Sequence, residues 1–171
     1  MTARSNCLIV LLADDDANDL ITIRRVLQPM EDLVRLVMVS DGNQAIAYLQ
    51  GENQFADRRA WPLPDVLLLG QHIQGPSGLD VLFWARTEPR YALLPAVVFG
   101  GRLTAAQTDV IERLNGVICP NGADARRVQK AVSSAVQSAV KSTRRARITA
   151  GQPTPSPLHL VRTPEYIRVW T

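Results

Sequence analysis

At 171 residues and 46% hydrophobic, the chain is long and apolar enough to bury a core without disulfide staples, which sets it apart from disordered and disulfide-framed proteins. Its two cysteines, Cys7 and Cys119, suit a reducing cytoplasm, and no apolar run approaches the ~18 residues that a membrane span requires. The net charge of +3 is uneven: 13 basic against 15 acidic residues through Val140 leave −2, and six basic against one acidic from Lys141 on leave +5, a near-neutral body with a basic tail.

The first run, Cys7–Ala13, is almost wholly apolar and ends in Asp14, Asp15 and Asp16. Arg4 precedes it as in a secretory leader. The run is short, however, meets three aspartates and has no small-residue cleavage site, so it reads as a buried strand. Leu20, Ile23, Val26 and Leu27 then mark one face of a helix that Asp16 caps and Pro29 ends. Leu33–Val39 is the second strand; the Asp41-Gly42 turn leads into a helix, Asn43–Gln50, that stops at Gly51. Val66–Leu69 is a third strand, closed by Gly70, and Gly75-Pro76-Ser77-Gly78 opens a helix over Leu79–Arg86. Ala96–Phe99 is a fourth strand, followed by Gly100-Gly101 and a short helix from Thr104 to Leu114 that Asn115-Gly116 terminates. Val117–Cys119 is the fifth, and Val128, Ala131, Val132, Ala135, Val136, Ala139 and Val140 form a helical apolar stripe after it.

Strand and helix alternate strictly, which predicts an α/β fold with a doubly wound parallel sheet. Such sheets place their sites at the carboxyl ends of the strands, here Asp14–Asp16, Gly70, Gly100-Gly101 and Cys119-Pro120. Residues 1–142 read as this domain. Residues 143–171 read as a basic, proline-rich linker and a tail: Gly151–Pro157 cannot form a core element, whereas LHLV and YIRVW between Leu158 and Trp170 are strand-like. The tail is either a docking segment, with Tyr166 and Trp170 as partner contacts, or an unstructured end.

LLADDDANDL, VSDGNQAIAYLQG, the long FADRRAWPLPDVLLL approach, GLDVL and LLPAVVF, in that order, resemble the receiver domain of two-component response regulators over roughly residues 8–140. The likeness is greatest to the single-domain type that partners phytochrome-like kinases. It implies a five-stranded flavodoxin-like sheet of order 2-1-3-4-5 with helices on both faces. In that family an acidic pair and a phosphoaccepting aspartate bind Mg²⁺, a Thr or Ser and a Lys hold the phosphoryl oxygens, and an aromatic reports the change. Carboxylates suit Mg²⁺ as hard oxygen ligands, and a carboxylate is the nucleophile.

Asp14 and Asp15 match the acidic pair. Gly70 stands at the phosphoacceptor, Gly100 at the Thr/Ser, Cys119 at the Lys and Gly116 at the aromatic position. Glycine carries neither nucleophile nor charge, so the resemblance implies a degenerate receiver that takes no phosphoryl group. Asp16, turned into a cap, and Asp65, at the far end of its strand, point away from the pocket and do not replace the nucleophile. Metal at Asp14 and Asp15 is then weak or vestigial, and no cofactor is expected. His72 is read as plain loop, Cys119 as a buried thiol, and the Cys119-Pro120 bond as cis. Gly100-Gly101-Arg102 has the makings of an anion nest, but it faces two aspartates.

These residues together imply a non-enzymatic, cytoplasmic pseudo-receiver. It would act by contact with a protein partner, a histidine kinase, a photoreceptor or another signalling protein, and form a homodimer through its fourth and fifth helices and the edge strand between them. The rival reading is a ligand-sensing pseudo-receiver with a small molecule in the vacated pocket. A nucleic-acid role for Lys141, Arg144, Arg145 and Arg147 ranks last, for want of a helix-turn-helix or an aromatic-interleaved basic face.

Overall fold

Five parallel strands form one sheet in the order β2-β1-β3-β4-β5, the predicted doubly wound arrangement. The computed structural model describes residues 7–119 and, beyond them, residues 126, 129, 130, 133–135, 137, 138 and 141, all helical. The linker and tail, with Tyr166 and Trp170, lie outside the described residues, as does Pro120 and with it the geometry of the Cys119-Pro120 bond. The strands are β1 (Leu8–Ala13), β2 (Val34–Val39), β3 (Val66–Gly70), β4 (Ala96–Phe99) and β5 (Val117–Cys119). The helices are α1 (Ala17–Leu27), α2 (Gly42–Gln50), α3 (Gly78–Thr87) and α4 (Ala105–Arg113). None of the described helices is long and apolar enough to cross a membrane.

Side-chain alternation along the strands builds two apolar layers. Ile9, Leu11, Leu67, Leu69 and Val98 pack on one side with Tyr48 and Leu49 of α2, Val81 and Leu82 of α3 and Ile111 of α4. Val10, Leu12, Leu68, Val97 and Phe99 pack on the other with Ile23, Val26 and Leu27 of α1 and with Ala135. β1 and β3 are buried along their whole length, which is why their sequences are continuously apolar instead of alternating. Each buried Val, Leu, Ile or Phe among them contributes roughly 1.5–3 kcal/mol by leaving water.

Local signals set the helix ends. The Asp16 side chain accepts from the Asn18 N–H, Asp41 from Gln44, and Ser77 and Thr104 each complete a reciprocal capping box with Asp80 and Gln107. α1 stops at Leu27, and Pro29 lies in a tight turn of 3-10 helix that follows. Asp65 sits at the amino end of the sheet: its carboxylate accepts from the Ile9 N–H at 2.8 Å while its own N–H donates to the Ile9 carbonyl at 2.7 Å. It fastens β3 to β1 at the end opposite the candidate site.

The connection from α2 to β3 is held by Arg58, which donates to the carbonyls of Tyr48 (2.7 Å), Leu49 (2.7 Å) and Trp61 (3.3 Å). Its guanidinium also lies 5.8 Å from the Tyr48 ring centroid, and Tyr48, Phe55 and Trp61 meet edge to face. This explains how a long loop rich in polar residues follows one path.

Candidate functional site

The carboxyl ends of β1, β3, β4 and β5 meet where the sequence places the acidic pair and the two glycine loops. Gly70 pairs with Phe99, and Phe99 with Cys119, so these three stand in one cross-strand row. Asp14, two residues beyond Leu12, joins that row beside Gly70. The Phe99 ring and the Cys119 side chain are each 1% exposed and belong to the α1-side layer. Apart from Asp14, then, the row is apolar.

Asp14 is 5% exposed. Its Oδ1 accepts from the Asp16 N–H at 2.7 Å, and its Oδ2 turns onto Gly70. A Cβ placed on Gly70 would fall 2.1 Å from Asp14 Oδ2 and 3.0 Å from Ile73 Cγ2. The space in which an acceptor side chain would begin is thus filled by the first member of the acidic pair. The loop cannot recede to make room, because Gly78 packs beneath it: a Cβ there would lie 2.2 Å from the Gly70 carbonyl oxygen.

Burial pushes the Asp14 carboxyl up to about 6; the Asp16 N–H pulls it down, and the neighbouring charges of Asp19, Asp15 and Asp16 raise it further. Asp19, half-buried in the first turn of α1, is also raised, by burial and then by Asp16. Neither Asp14 nor Asp19 forms an ion pair among the described residues, where the ion pair present is Arg113 with Asp109 on α4.

Gly100 and Gly101 both adopt left-handed backbone, with φ of 91° and 59°. A Cβ on Gly100 would be 3.7 Å from Asp19 Oδ2 and 4.0 Å from the Gln71 N. One on Gly101 would be 2.6 Å from Gln71 Oε1 and 2.8 Å from His72 Nε2. Gln71 is 4% exposed, and its Oε1 is buried without a hydrogen-bond partner. The sequence weighs an anion nest at Gly100-Gly101-Arg102 against facing aspartates, and the structure does place Asp19 Oδ2 and the unpaired Gln71 Oε1 beside these glycines. His72 is exposed, consistent with a loop residue. Gly116 packs against Ile111 and Leu82, with a notional Cβ 2.7 and 2.9 Å away, so a switch aromatic has no room there unless α3 and α4 shift.

The donor set does not fit Mg²⁺ as a receiver holds it. One carboxylate of the pair is folded inward onto Gly70, no third stands opposite, and Mg²⁺ demands near-octahedral oxygen geometry. Among the described residues no group of three or more His, Cys, Asp or Glu side chains is placed to hold a metal.

No family model matches the sequence, and no curated protein does. Solved structures do. The Mn²⁺-bound form of response regulator Rcp1 aligns with 72% of this chain and 90% of its own, at 21% identity and a TM-score of 0.64. The phosphorylated cyanobacterial phytochrome response regulator RcpA aligns with 88% of this chain and 99% of its own, at 21% identity and a TM-score of 0.63. The chain has the receiver fold. The response regulator RPA3017 of red-light signalling in R. palustris gives the same result, with 24% identity over 74% of this chain and 90% of its own and a TM-score of 0.64.

Within this receiver fold the structure brings Asp14, Gly70, Gly100 and Cys119 to one end of the sheet, as the sequence predicts. It separates their roles: Asp14 fills the Gly70 position, Cys119 is core, and Asp15 is exposed. Sequence reasoning missed Asp19, Gln71 and Phe99. The signals were faint: Asp19 lies one helical turn from Asp15 and Asp16, and Gln71 follows Gly70 directly. Only the register of β3 against β4 places Phe99 in the row.

Proposed function

We propose that this chain is a pseudo-receiver: a non-catalytic signalling module that takes no phosphoryl group and acts by protein–protein contact in a two-component-type pathway. The observation that carries this reading is the Asp14 carboxylate 2.1 Å from where a Gly70 Cβ would be. A receiver's nucleophile is absent and its place is occupied, so the family's phosphotransfer chemistry has no acceptor. Mg²⁺ binds weakly at most, at Asp14 and Asp15, and no cofactor is required. Partners are proteins, a histidine kinase or photoreceptor among them, since the solved structures it resembles include phytochrome and bacteriophytochrome response regulators. Self-association uses the α4–β5 side, where Val110 and Val117 are 39% and 43% exposed. The module works in the cytoplasm.

Exposure of the full chain to acetyl phosphate and Mg²⁺, followed by intact mass, tests this. No mass gain is expected. An acid-labile gain of one phosphate would overturn the reading.

A specific observation favours a second reading, in which the altered pocket takes a small ligand. The Gln71 carbonyl is buried beside the double-glycine loop with its hydrogen bond unmade. A buried unsatisfied acceptor costs roughly 1–3 kcal/mol, which a bound donor would recover.

A further inference from the structure

We propose that the corner between the Gly70-Gln71 and Gly100-Gly101 loops binds a primary ammonium or guanidinium group, which donates to Gln71 Oε1 and is neutralised by Asp19 and Asp14. The proposal rests on the ligand-binding reading above and names the chemistry of that ligand.

The side-chain oxygens at this corner, from Asp14, Asp19 and Gln71, are all acceptors; the Gln71 amide nitrogen and His72 Nε2 are its other polar side-chain atoms. Asp14 Oδ2 lies against Gly70, and Asp19 Oδ2 and the Gln71 N lie within 4.0 Å of one point above Gly100. Gln71 Oε1 lies 2.6 Å from the corresponding point above Gly101. His72 Nε2 is 2.8 Å from that same point, yet Gln71 Oε1 accepts nothing from it. Arg102, the adjacent cation, is exposed and forms no ion pair among the described residues. The position that supplies a lysine in receivers is Cys119, buried in the α1-side layer.

An anion is repelled here by two carboxylates and by the unpaired Gln71 Oε1. A divalent metal lacks a third carboxylate. A group with a positive charge and several N–H donors satisfies both demands, and Gly100 places no side chain between such a group and Asp19 Oδ2. The same group can come from a free amine or from a lysine or arginine of a partner protein.

Thermal shift and ¹⁵N NMR titration of the full chain at low ionic strength test this. The probes are propylammonium, guanidinium and tetramethylammonium chlorides, acetate, acetamide, MgCl₂ and a lysine-containing neutral peptide. Propylammonium or guanidinium should give saturable shifts at the Gln71 and Gly101 amides. Tetramethylammonium, charged but without N–H groups, should not. Asp19→Asn and Gln71→Met, each with unchanged far-UV spectra and no loss of melting temperature, should weaken binding by about tenfold or more. Saturation by the free amine identifies a small-molecule site; saturation by the peptide at far lower concentration identifies a partner's lysine.

Equal response to tetramethylammonium, or full binding by both variants, overturns the proposal. Tighter binding of Mg²⁺ at the same amides replaces it with a metal site. If acetate or acetamide binds there and the ammonium probes do not, the proposal falls and the ligand-binding reading stands. If no probe binds, both fall.

Discussion

Asp14→Asn is expected to stabilise this protein at neutral pH and to flatten its pH dependence. The Asp14 carboxyl rises from its ordinary value of 3.8 to about 6 in the folded state, chiefly through burial. The folded protein therefore holds this proton more tightly than the unfolded chain does. Between those two values folding takes up a proton, so the contribution of Asp14 to stability is present below pH 3.8 and is lost as pH rises through about 6. At 1.36 kcal/mol per pH unit the cost at pH 7 is about 3 kcal/mol, an upper bound given the chain's freedom to relax. Asparagine keeps an oxygen for the Asp16 N–H and carries no charge. Urea unfolding at pH 4.5, 6 and 8 measures the difference between variant and wild type. The variant should gain up to about 3 kcal/mol at pH 8, or roughly 2–4 °C in melting temperature per kcal/mol, and the gain should shrink toward pH 4. A variant that is less stable than wild type at pH 8, or a difference independent of pH, refutes the reasoning. Asp19 shifts in the same direction, but it is common to both proteins and cancels.

Three further outcomes are expected. Arg58→Ala should cost about 2–3 kcal/mol in denaturant unfolding, because the carbonyls of Tyr48, Leu49 and Trp61 lose a charged donor together; a loss below 0.5 kcal/mol would show that water replaces it freely. Asp65→Ala should destabilise by roughly 1–3 kcal/mol while leaving ligand-induced shifts at Gln71 and Gly101 unchanged, since its contact with Ile9 lies at the opposite end of the sheet. Deleting residues 152–171 should leave the circular dichroism and melting temperature of the receiver fold intact but weaken partner binding or self-association. Unaltered assembly and binding would show that Tyr166 and Trp170 anchor nothing.

The fold was legible because its signals are local or strictly periodic. Continuous apolar runs marked strands buried on both faces, and the strand limits differ from the runs by one residue at Cys7, Leu33 and Gly70. Asp16 and Thr104 cap α1 and α4 as their spacing suggested, and Gly51 ends α2 with a φ of 76°. The two short 3-10 turns, Gln28–Met30 and Asn53–Phe55, carried no such signature. At the site, the sequence reveals which residue types stand at the strand ends. It does not reveal where their side chains turn. The turn of Asp14 onto Gly70 depends on β1 lying beside β3 in a particular register, and the orphaned Gln71 oxygen depends on a side-chain rotamer. Both are tertiary facts with no periodic trace.

In the proposed pseudo-receiver, glycine at position 70 and cysteine at position 119 have the physics of one change. A third carboxylate facing Asp14 and Asp15 requires a cation, and an ammonium on a side chain from position 119, in the buried α1-side layer, requires a carboxylate at position 70 to meet it. Once position 70 is glycine, a lysine at 119 would be an ammonium amid Phe99 and the α1 layer, and a buried thiol is the better occupant. A double-mutant cycle exposes this coupling. Gly70→Asp alone forces Asp14 aside and adds a like charge; at ~4 Å and an effective dielectric near 20 the repulsion is bounded by about 4 kcal/mol. Cys119→Lys alone places a charge in the core without its partner. Together the two should destabilise by about 0.5–3 kcal/mol less than the sum of the singles. Millimolar Mg²⁺ should stabilise Gly70→Asp more than wild type, because the metal takes the role of the missing cation. Unfolding free energies of the four proteins, with and without Mg²⁺, give the coupling directly. Strict additivity would mean that the two positions changed independently and that the row does not act as a unit.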